Sequence, residues 1–276
     1  MQDAVRLSRF IAGHPNLTVL TGAGCSAASG IPAYRDDEGE WMHARPVQYA
    51  DFVSSPAVRR RYWARSFAGW QRVRDARPNA AHEAIAGLER LGVARRTITQ
   101  NVDGLHREAG SHRVIDLHGR LDRVLCLDCG STLARERLQQ ELSALNPGWQ
   151  ARVSGFAPDG DARLARDAAE SFRFVDCGHC GGMLKPDVVF FGENVPRERV
   201  ARCAAAVKAS DALLVVGSSL MVFSGFRFAR QAAQAGKPLA IVNRGRTRAD
   251  ELATLRITAD CADVLSRAFA LLQGEA

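Results

Sequence analysis

Two short cysteine pairs limit most tightly what this chain can fold into. Cys126 and Cys129 stand in "CLDC", Cys177 and Cys180 in "CGHC", with 47 residues between the pairs. A Cys-x-x-Cys knuckle turns tightly enough for both thiolates to reach one ion. Two knuckles supply the closed tetrahedral set that holds a structural zinc. Gly130, Gly178, Gly181 and Gly182 flank the pairs and suit such turns. Redox pairs are expected just before a helix in a thioredoxin-like unit, and neither pair has that setting. Four thiolates close a site without a histidine. In "DLHGRLDRVLCLDCG", residues 116–130, His118 is therefore free for other work, and His179 inside the second knuckle reads as a spacer.

A second pattern begins at "LTVLTGAGCSAASGIPAYR", residues 17–35. A short β-type run, Leu17 to Leu20, is followed by glycines and then by small residues that suit a helix start. Gly22, Gly24 and Ala27 match the G-x-G-x-x-G/A dinucleotide fingerprint, in which glycine lets backbone approach a pyrophosphate and a helix N-terminus offers N–H donors. The fingerprint alone is weak, and the usual second strand ending in a ribose-binding acid is missing. Other β-type runs carry polar tips: "RTITQNVDGLH" ends at Gln100, Asn101 and Asp103, "ALLVVGSS" at Gly217, Ser218 and Ser219, and "PLAIVNRG" at Asn243. Open parallel sheets bind ligands at the carboxyl ends of their strands, so these tips together point to one nucleotide crevice.

The remaining composition excludes more than it selects. The net charge is +7, yet only Lys185, Lys208 and Lys237 are lysines among 37 basic residues. The arginines are spread along the chain, whereas a nucleic-acid surface needs clustering, so no specific nucleic acid is expected as partner. Attraction of an anionic cofactor is an easier use of the excess charge. No apolar run approaches the roughly 20 residues of a membrane span. Val5, Leu7, Phe10 and Ile11 are spaced like a short amphipathic helix without a secretory core. A cytoplasmic location is expected.

Taken in order, "GAGCSAASGIPAYR", "TQNVDGLH", "LHG" at 117–119, both cysteine pairs, "LKPDVVFFGE", "VVGSSL" and "IVNRG" resemble the sirtuins, the Sir2 family of NAD-dependent protein deacylases. The match covers about residues 15–265. "RYWARSFAGW" and "APDGD" are similar to the class II branch that includes the lipoamidase-type sirtuin of animal mitochondria, and the long gap between cysteine pairs suits that branch. The resemblance implies an α/β fold: a Rossmann-like parallel sheet with helices on both faces, plus a small inserted zinc-ribbon and helical domain. It assigns residues 1–35, 83–122 and 185–276 to an NAD-binding domain, 36–82 to a helical module and 123–184 to a zinc-ribbon module. NAD is consumed as co-substrate: the acyl group of an acylated lysine ends on ADP-ribose and nicotinamide leaves. One structural zinc, acylated-lysine protein substrates and a monomer are expected.

The resemblance also implies roles. Gly22, Ala23 and Gly24 cradle the phosphates. Ser26, Ile31 and Pro32 belong to the same cofactor-binding stretch, and Tyr34 and Arg35 to a loop that closes over it. Gln100, Asn101, Val102 and Asp103 hold the ribose and nicotinamide amide, with Asn101 and Asp103 counted as catalytic beside His118. Gly217, Ser218, Ser219, Asn243, Arg244, Gly245 and Cys261 line the adenosine end. Val189, Phe190, Phe191, Gly192 and Glu193 resemble a strand edge that pairs with substrate backbone. His118 is the general base; histidine's pKa suits that work near neutral pH, and this one follows the strand-like "VIDL". His106 is expected to support its loop, and His14, His43, His82 and His112 to be surface or core residues.

Three departures stand out: Tyr34 where many members have phenylalanine, Ala33 in place of a polar side chain, and Arg244 and Arg246 around Gly245, expected to be solvated. Tyr62 and Arg65 form a Y-x-x-R pattern on one helix face, which could select acidic or bulky acyl groups; the other reading packs Tyr62, Trp63 and Phe67 and leaves Arg65 in solvent. Protein mono-ADP-ribosylation, or a silent NAD- and zinc-binding module, are the alternative functions.

Overall fold

The computed structural model describes residues 1–32, 36–38, 40, 42, 46–157, 160–165 and 167–274. Among them nine strands follow in chain order: β1 Leu17–Thr21, β2 Ala94–Thr99, β3 Val114–Asp116, β4 Gly119–Cys126, β5 Thr132–Ala134, β6 Leu184–Val188, β7 Ala212–Val216, β8 Leu239–Val242 and β9 Leu255–Ile257. The helices are α1 Gln2–Ala12, α2 Ala23–Ser26, α3 Tyr49–Ser54, α4 Pro56–Asp75, α5 Ala80–Arg90, α6 Leu105–Glu108, α7 Arg135–Leu145, α8 Arg197–Ala209, α9 Phe223–Gln234 and α10 Cys261–Gln273.

Six strands form one parallel sheet in the order β3-β2-β1-β7-β8-β9. β1 and β7 are buried along their whole length, as expected of strands covered on both faces. The period-two alternation divides their side chains between two cores. Leu17 and Val19 of β1 and Leu214 and Val216 of β7 meet Leu7 and Ile11 of α1, Ile85 and Leu88 of α5, and Val264 and Leu265 of α10. Leu20, Leu213 and Val215 face the other way, onto Val207 of α8 and Phe228, Ala229 and Ala232 of α9. Phe228 is 1% exposed, and cutting such a ring back to alanine costs about 3–5 kcal/mol.

Local signals agree with these elements. Asn79 caps α5 by accepting from the Ala81 N–H, while His82 accepts from the Asn79 N–H, closing a capping box. Asp260 caps α10 by accepting from the N–H groups of Ala262 and Asp263. The register sets Thr21 beside Thr99 and Val216, and Val216 beside Val242, so the carboxyl ends of four strands lie level. The connection runs from β1 to β2 on one side and to β7 on the other, and ligands bind at such a switch point.

A second sheet is antiparallel, in the order β5-β4-β6. Val124 and Cys126 of β4 pack with Phe52 of α3, Trp63 of α4, Leu138 and Leu142 of α7, and Phe172. His118 lies at the corner between β3 and β4. Gly119 makes that corner with φ +87, and a Cβ there would stand 2.0 Å from the Asp187 carbonyl oxygen of β6. Among the described residues no helix is long and apolar enough to cross a membrane.

The segment Val189–Glu193, expected to pair with substrate backbone, continues from the end of β6 at Val188: the Val189 N–H donates to the His118 carbonyl at 2.8 Å, and Phe191 bridges to Gln48. The Glu193 carboxylate explains the turn, since it accepts from both the Phe190 N–H and the Lys185 ammonium.

Candidate functional site

A cavity of about 840 Å³ opens where the level strand ends meet. Its floor is the β1 turn packed on the tip of β7. The Gly24 N–H donates to the Gly217 carbonyl at 2.8 Å, and the Gly22 N–H to Val216 at 3.1 Å. A Cβ on Gly24 would lie 2.9 Å from the Gly217 oxygen, one on Gly22 2.7 Å from the Ser218 Cβ, and one on Gly217, whose φ is +59, 2.2 Å from the Cys25 nitrogen. The glycines are thus required first by backbone packing against backbone. Two N–H groups that the fingerprint offers to a phosphate are already committed to β7.

Most of the expected contact residues converge here. Gly22, Ala23, Gly24, Ser26 and Ile31 line the cavity on one side, and Gln100, Asn101, Val102, Asp103 and His118 on a second. Gly217, Ser218, Ser219, Asn243, Arg244 and Cys261 form the third, and Tyr62 with Val189, Phe190, Phe191, Gly192 and Glu193 the mouth opposite. Pro32, Gly245 and Arg65 are not in the wall. Gly245 packs against Asp37 and turns its carbonyl to Asn243 and Arg256. Arg65 donates to the Ala162 carbonyl at 3.1 Å and pairs with Asp161 at 3.7 Å. Arg244 pairs with Asp260 at 2.7 Å and is largely exposed, and Arg246 is exposed. Ala33, Tyr34, Arg35 and His43 lie outside the described residues.

The polar wall is tied into one network. Asn101 donates to the Gly22 carbonyl and to Ser26 Oγ, at 3.0 and 2.9 Å; Ser26 donates to Asp103 at 2.7 Å. Gln100 donates to Ser218 Oγ at 2.7 Å. Burial raises the Asp103 carboxyl above its ordinary range, against the bonds from Leu105 and Ser26 that lower it. His118 donates from Nδ1 to the Gln100 carbonyl at 3.0 Å, which fixes the tautomer. Its Nε2 lone pair accepts from Ser224 Oγ at 2.7 Å. Burial pushes the imidazole down to about 4, outweighing the Gln100 bond, so it is neutral at pH 7 and can accept a proton.

Three further residues support the wall, and of these only His106 was expected from the sequence. Ser224 meets His118 from 106 positions away. His82 stands behind Ser26, Nε2 to Oγ 3.4 Å, and burial holds it at about 4. His106 Nε2 meets Thr21 Oγ1 at 2.8 Å, and burial lowers its pKa well below the ordinary value, which agrees with a supporting role. With Cys25, these two histidines form a buried group whose ligand atoms lie within 4.8 Å of one another. Both His82 nitrogens and one of His106 are spent on protein partners.

Four of the other six cysteines form a separate site. The sulfur atoms of Cys126, Cys129, Cys177 and Cys180 all lie within 4.8 Å of one another, with Cys126–Cys180 at 3.5 Å and Cys129–Cys177 at 3.9 Å. Four thiolates about 2.3 Å from a tetrahedral zinc stand about 3.8 Å apart, so the set fits that ion. The two knuckles repeat one geometry: Gly130 N–H returns to the Cys126 carbonyl, and Gly181 N–H to that of Cys177. Neither His118 nor His179 joins the set. The stretch 116–130 serves two sites.

A parallel sheet with a cavity at its switch point, a neutral histidine in the wall and a four-thiolate set beside it define a nucleotide-binding α/β chain with a structural metal. Residues 22–224 match the pattern described as the Sir2 family. A protein of Xanthomonas campestris pv. campestris (strain 8004) named NAD-dependent protein deacetylase is 53% identical over 265 residues, 96% of this chain and 90% of its own. One of the same name from Bordetella bronchiseptica is 51% identical over 96% of this chain and 97% of its own. A solved structure titled "Structural Basis for the Mechanism and Regulation of Sir2 Enzymes" superposes with TM-score 0.79 at 31% identity, covering 100% of this chain and 99% of the other. Another, "Sir2-p53 peptide-NAD+", gives 0.78 at 27% identity over 98% of both. The chain belongs to the Sir2 family.

Proposed function

We propose that this chain is an NAD-dependent protein-lysine deacetylase, that it consumes NAD, and that it holds one structural zinc on Cys126, Cys129, Cys177 and Cys180. The observation that carries the reading is His118, neutral and fixed in one tautomer, in the wall of a cavity floored by Gly22, Gly24 and Gly217. NAD, when bound, would supply the ribose carbon that the acyl oxygen attacks as nicotinamide leaves, and the ribose hydroxyl on which the acyl group ends. His118 takes a proton at Nε2, where Ser224 now donates; Nδ1 stays anchored on Gln100. Asn101, Asp103 and Ser26 act as one hydrogen-bonded unit that fixes the loops on either side of the cofactor. Phe190 and Phe191 at the mouth exclude water. Relatives named NAD-dependent protein deacetylases, and a similar structure of a Sir2 protein with a peptide and NAD, support the same reading.

We also propose the domain division read from the sequence, a cytoplasmic monomer, membership of the class II branch and a preference for non-acetyl acyl groups. That preference rests on Tyr62 in the wall, because Arg65 is engaged by Ala162 and Asp161. The test is mass spectrometry of an acetyl-lysine peptide incubated with NAD. Deacetylated peptide with O-acetyl-ADP-ribose supports the reading; ADP-ribose added to a protein, or no reaction, refutes it.

A further inference from the structure

The rim beside His118 carries an arrangement that the reaction does not use. Val222 and Phe223, at the start of α9, are 37% and 43% exposed, although both line the mouth of the cavity. Three guanidinium groups lie over the aromatic faces here. Arg227 and Arg230 stand 5.1 and 5.2 Å from the Phe223 ring centre, and Arg248 stands 4.4 Å from that of Phe226. Stacking of this kind fixes an arginine while leaving its N–H edge open to a carboxylate. Among the described residues none of the three forms an ion pair. The Nε of Arg227 is buried and has no hydrogen-bond partner. Two further facts add positive potential and place it. The N-terminus of α9 has no side-chain cap, so the positive end of the helix lies at Val222 and Phe223. Ser224, the next residue after Phe223, is the partner of His118, which sets the patch one residue from the reacting centre.

Arg107 is matched with Asp116 and Arg256 with Asp250, whereas the rim arginines stack on rings. Three unmatched guanidiniums on two rings, at the mouth through which a protein lysine enters, call for a negative partner. We propose that the Phe223 rim, with Arg227, Arg230 and Arg248, docks acidic residues flanking the acyl-lysine of the substrate protein. This rests on the deacetylase reading and narrows its substrate class to lysines in acidic surroundings.

The test uses three acetyl-lysine peptides of one sequence whose flanking positions carry Asp/Glu, Asn/Gln or Lys/Arg. The wild-type chain should show a KM about fivefold lower for the acidic than for the neutral peptide, narrowing as salt rises to about 0.5 M, since exposed pairs are individually weak and screened. In the doubly substituted Arg230→Gln, Arg248→Gln chain the acidic-to-neutral ratio should fall to about one. Equal KM values in the wild type overturn the proposal. So does a variant that keeps the ratio but shows a raised KM for NAD, which assigns the arginines to the dinucleotide. A succinyl-lysine peptide with neutral flanks that gains the same fivefold also overturns it, by placing the guanidiniums inside the acyl channel. If no peptide is turned over, the deacetylase reading fails. Fluorescence anisotropy of labelled acidic and neutral peptides then decides the surface separately: tighter binding of the acidic one sustains it, and equal binding ends it.

Discussion

The two sheets of this chain keep their shape by different means. β1, β7 and β8 are buried throughout and covered on both faces, so the nucleotide side is specified by packing, and its polar tips are fastened by hydrogen bonds among buried groups. The three-stranded sheet ends in two glycine knuckles whose Cys129 and Cys180 are exposed, and the thiolates themselves tie its ends together. Packing energy grows with the area buried, whereas coordination energy comes from four atoms. One region should therefore tolerate loss of its ligand, and the other should not.

The largest effect is expected at the single histidine. His118→Ala should lower turnover by about 10²–10⁴-fold, the usual range for loss of a general base, while NAD affinity by calorimetry and zinc content stay unchanged. Near-normal turnover removes the role. Zinc loss would merge the two sites that the geometry separates. Cys177→Ala comes next: metal binding is coupled to folding, so the thiol region should lose several kcal/mol and its zinc. Elemental analysis and thermal unfolding read this out, and a folded variant with normal zinc would contradict it.

Acid should act on the packed side. His82 and His118 are held at about 4 by burial. Between their ordinary value and about 4, the unfolded chain takes up protons that the folded chain refuses. Stability is therefore full above about pH 6.5 and falls as pH drops toward 4, by roughly 2 kcal/mol per histidine at pH 5. Urea midpoints at pH 7 and 5 measure it; equal midpoints would mean the imidazoles are not buried as neutral groups. The smallest effect is expected at Arg65→Met. Its guanidinium serves Ala162 and Asp161, so turnover on acetyl- and succinyl-lysine peptides should change by one common factor. A selective loss on the succinyl peptide would return Arg65 to the acyl channel.

What could be read from the sequence was local in kind. Each Cys-x-x-Cys pair, each polar tip after its apolar run and His118 after "VIDL" is a pattern of a few neighbouring residues, and the fold brings the four cysteines together and the tips and His118 into one cavity wall. What could not be read depends on distant partners. Ser224 reaches His118 across 106 positions, and His82 reaches Ser26 across 56. Helical spacing put Tyr62 and Arg65 on one face correctly, but the reach of the longer side chain was decided by Asp161 and Ala162. The glycine fingerprint was seen for its openness to phosphate; its closeness to Gly217 needed β7 in place.

Hydrogen exchange on the chain after zinc is stripped by a chelator tests the contrast most directly. Protection should collapse across β4, β5, β6 and the two knuckles and persist in β1, β2 and β7, with NAD still bound. Uniform loss of protection across both sheets, or no loss in either, would contradict the division between a packed nucleotide side and a metal-held thiol side.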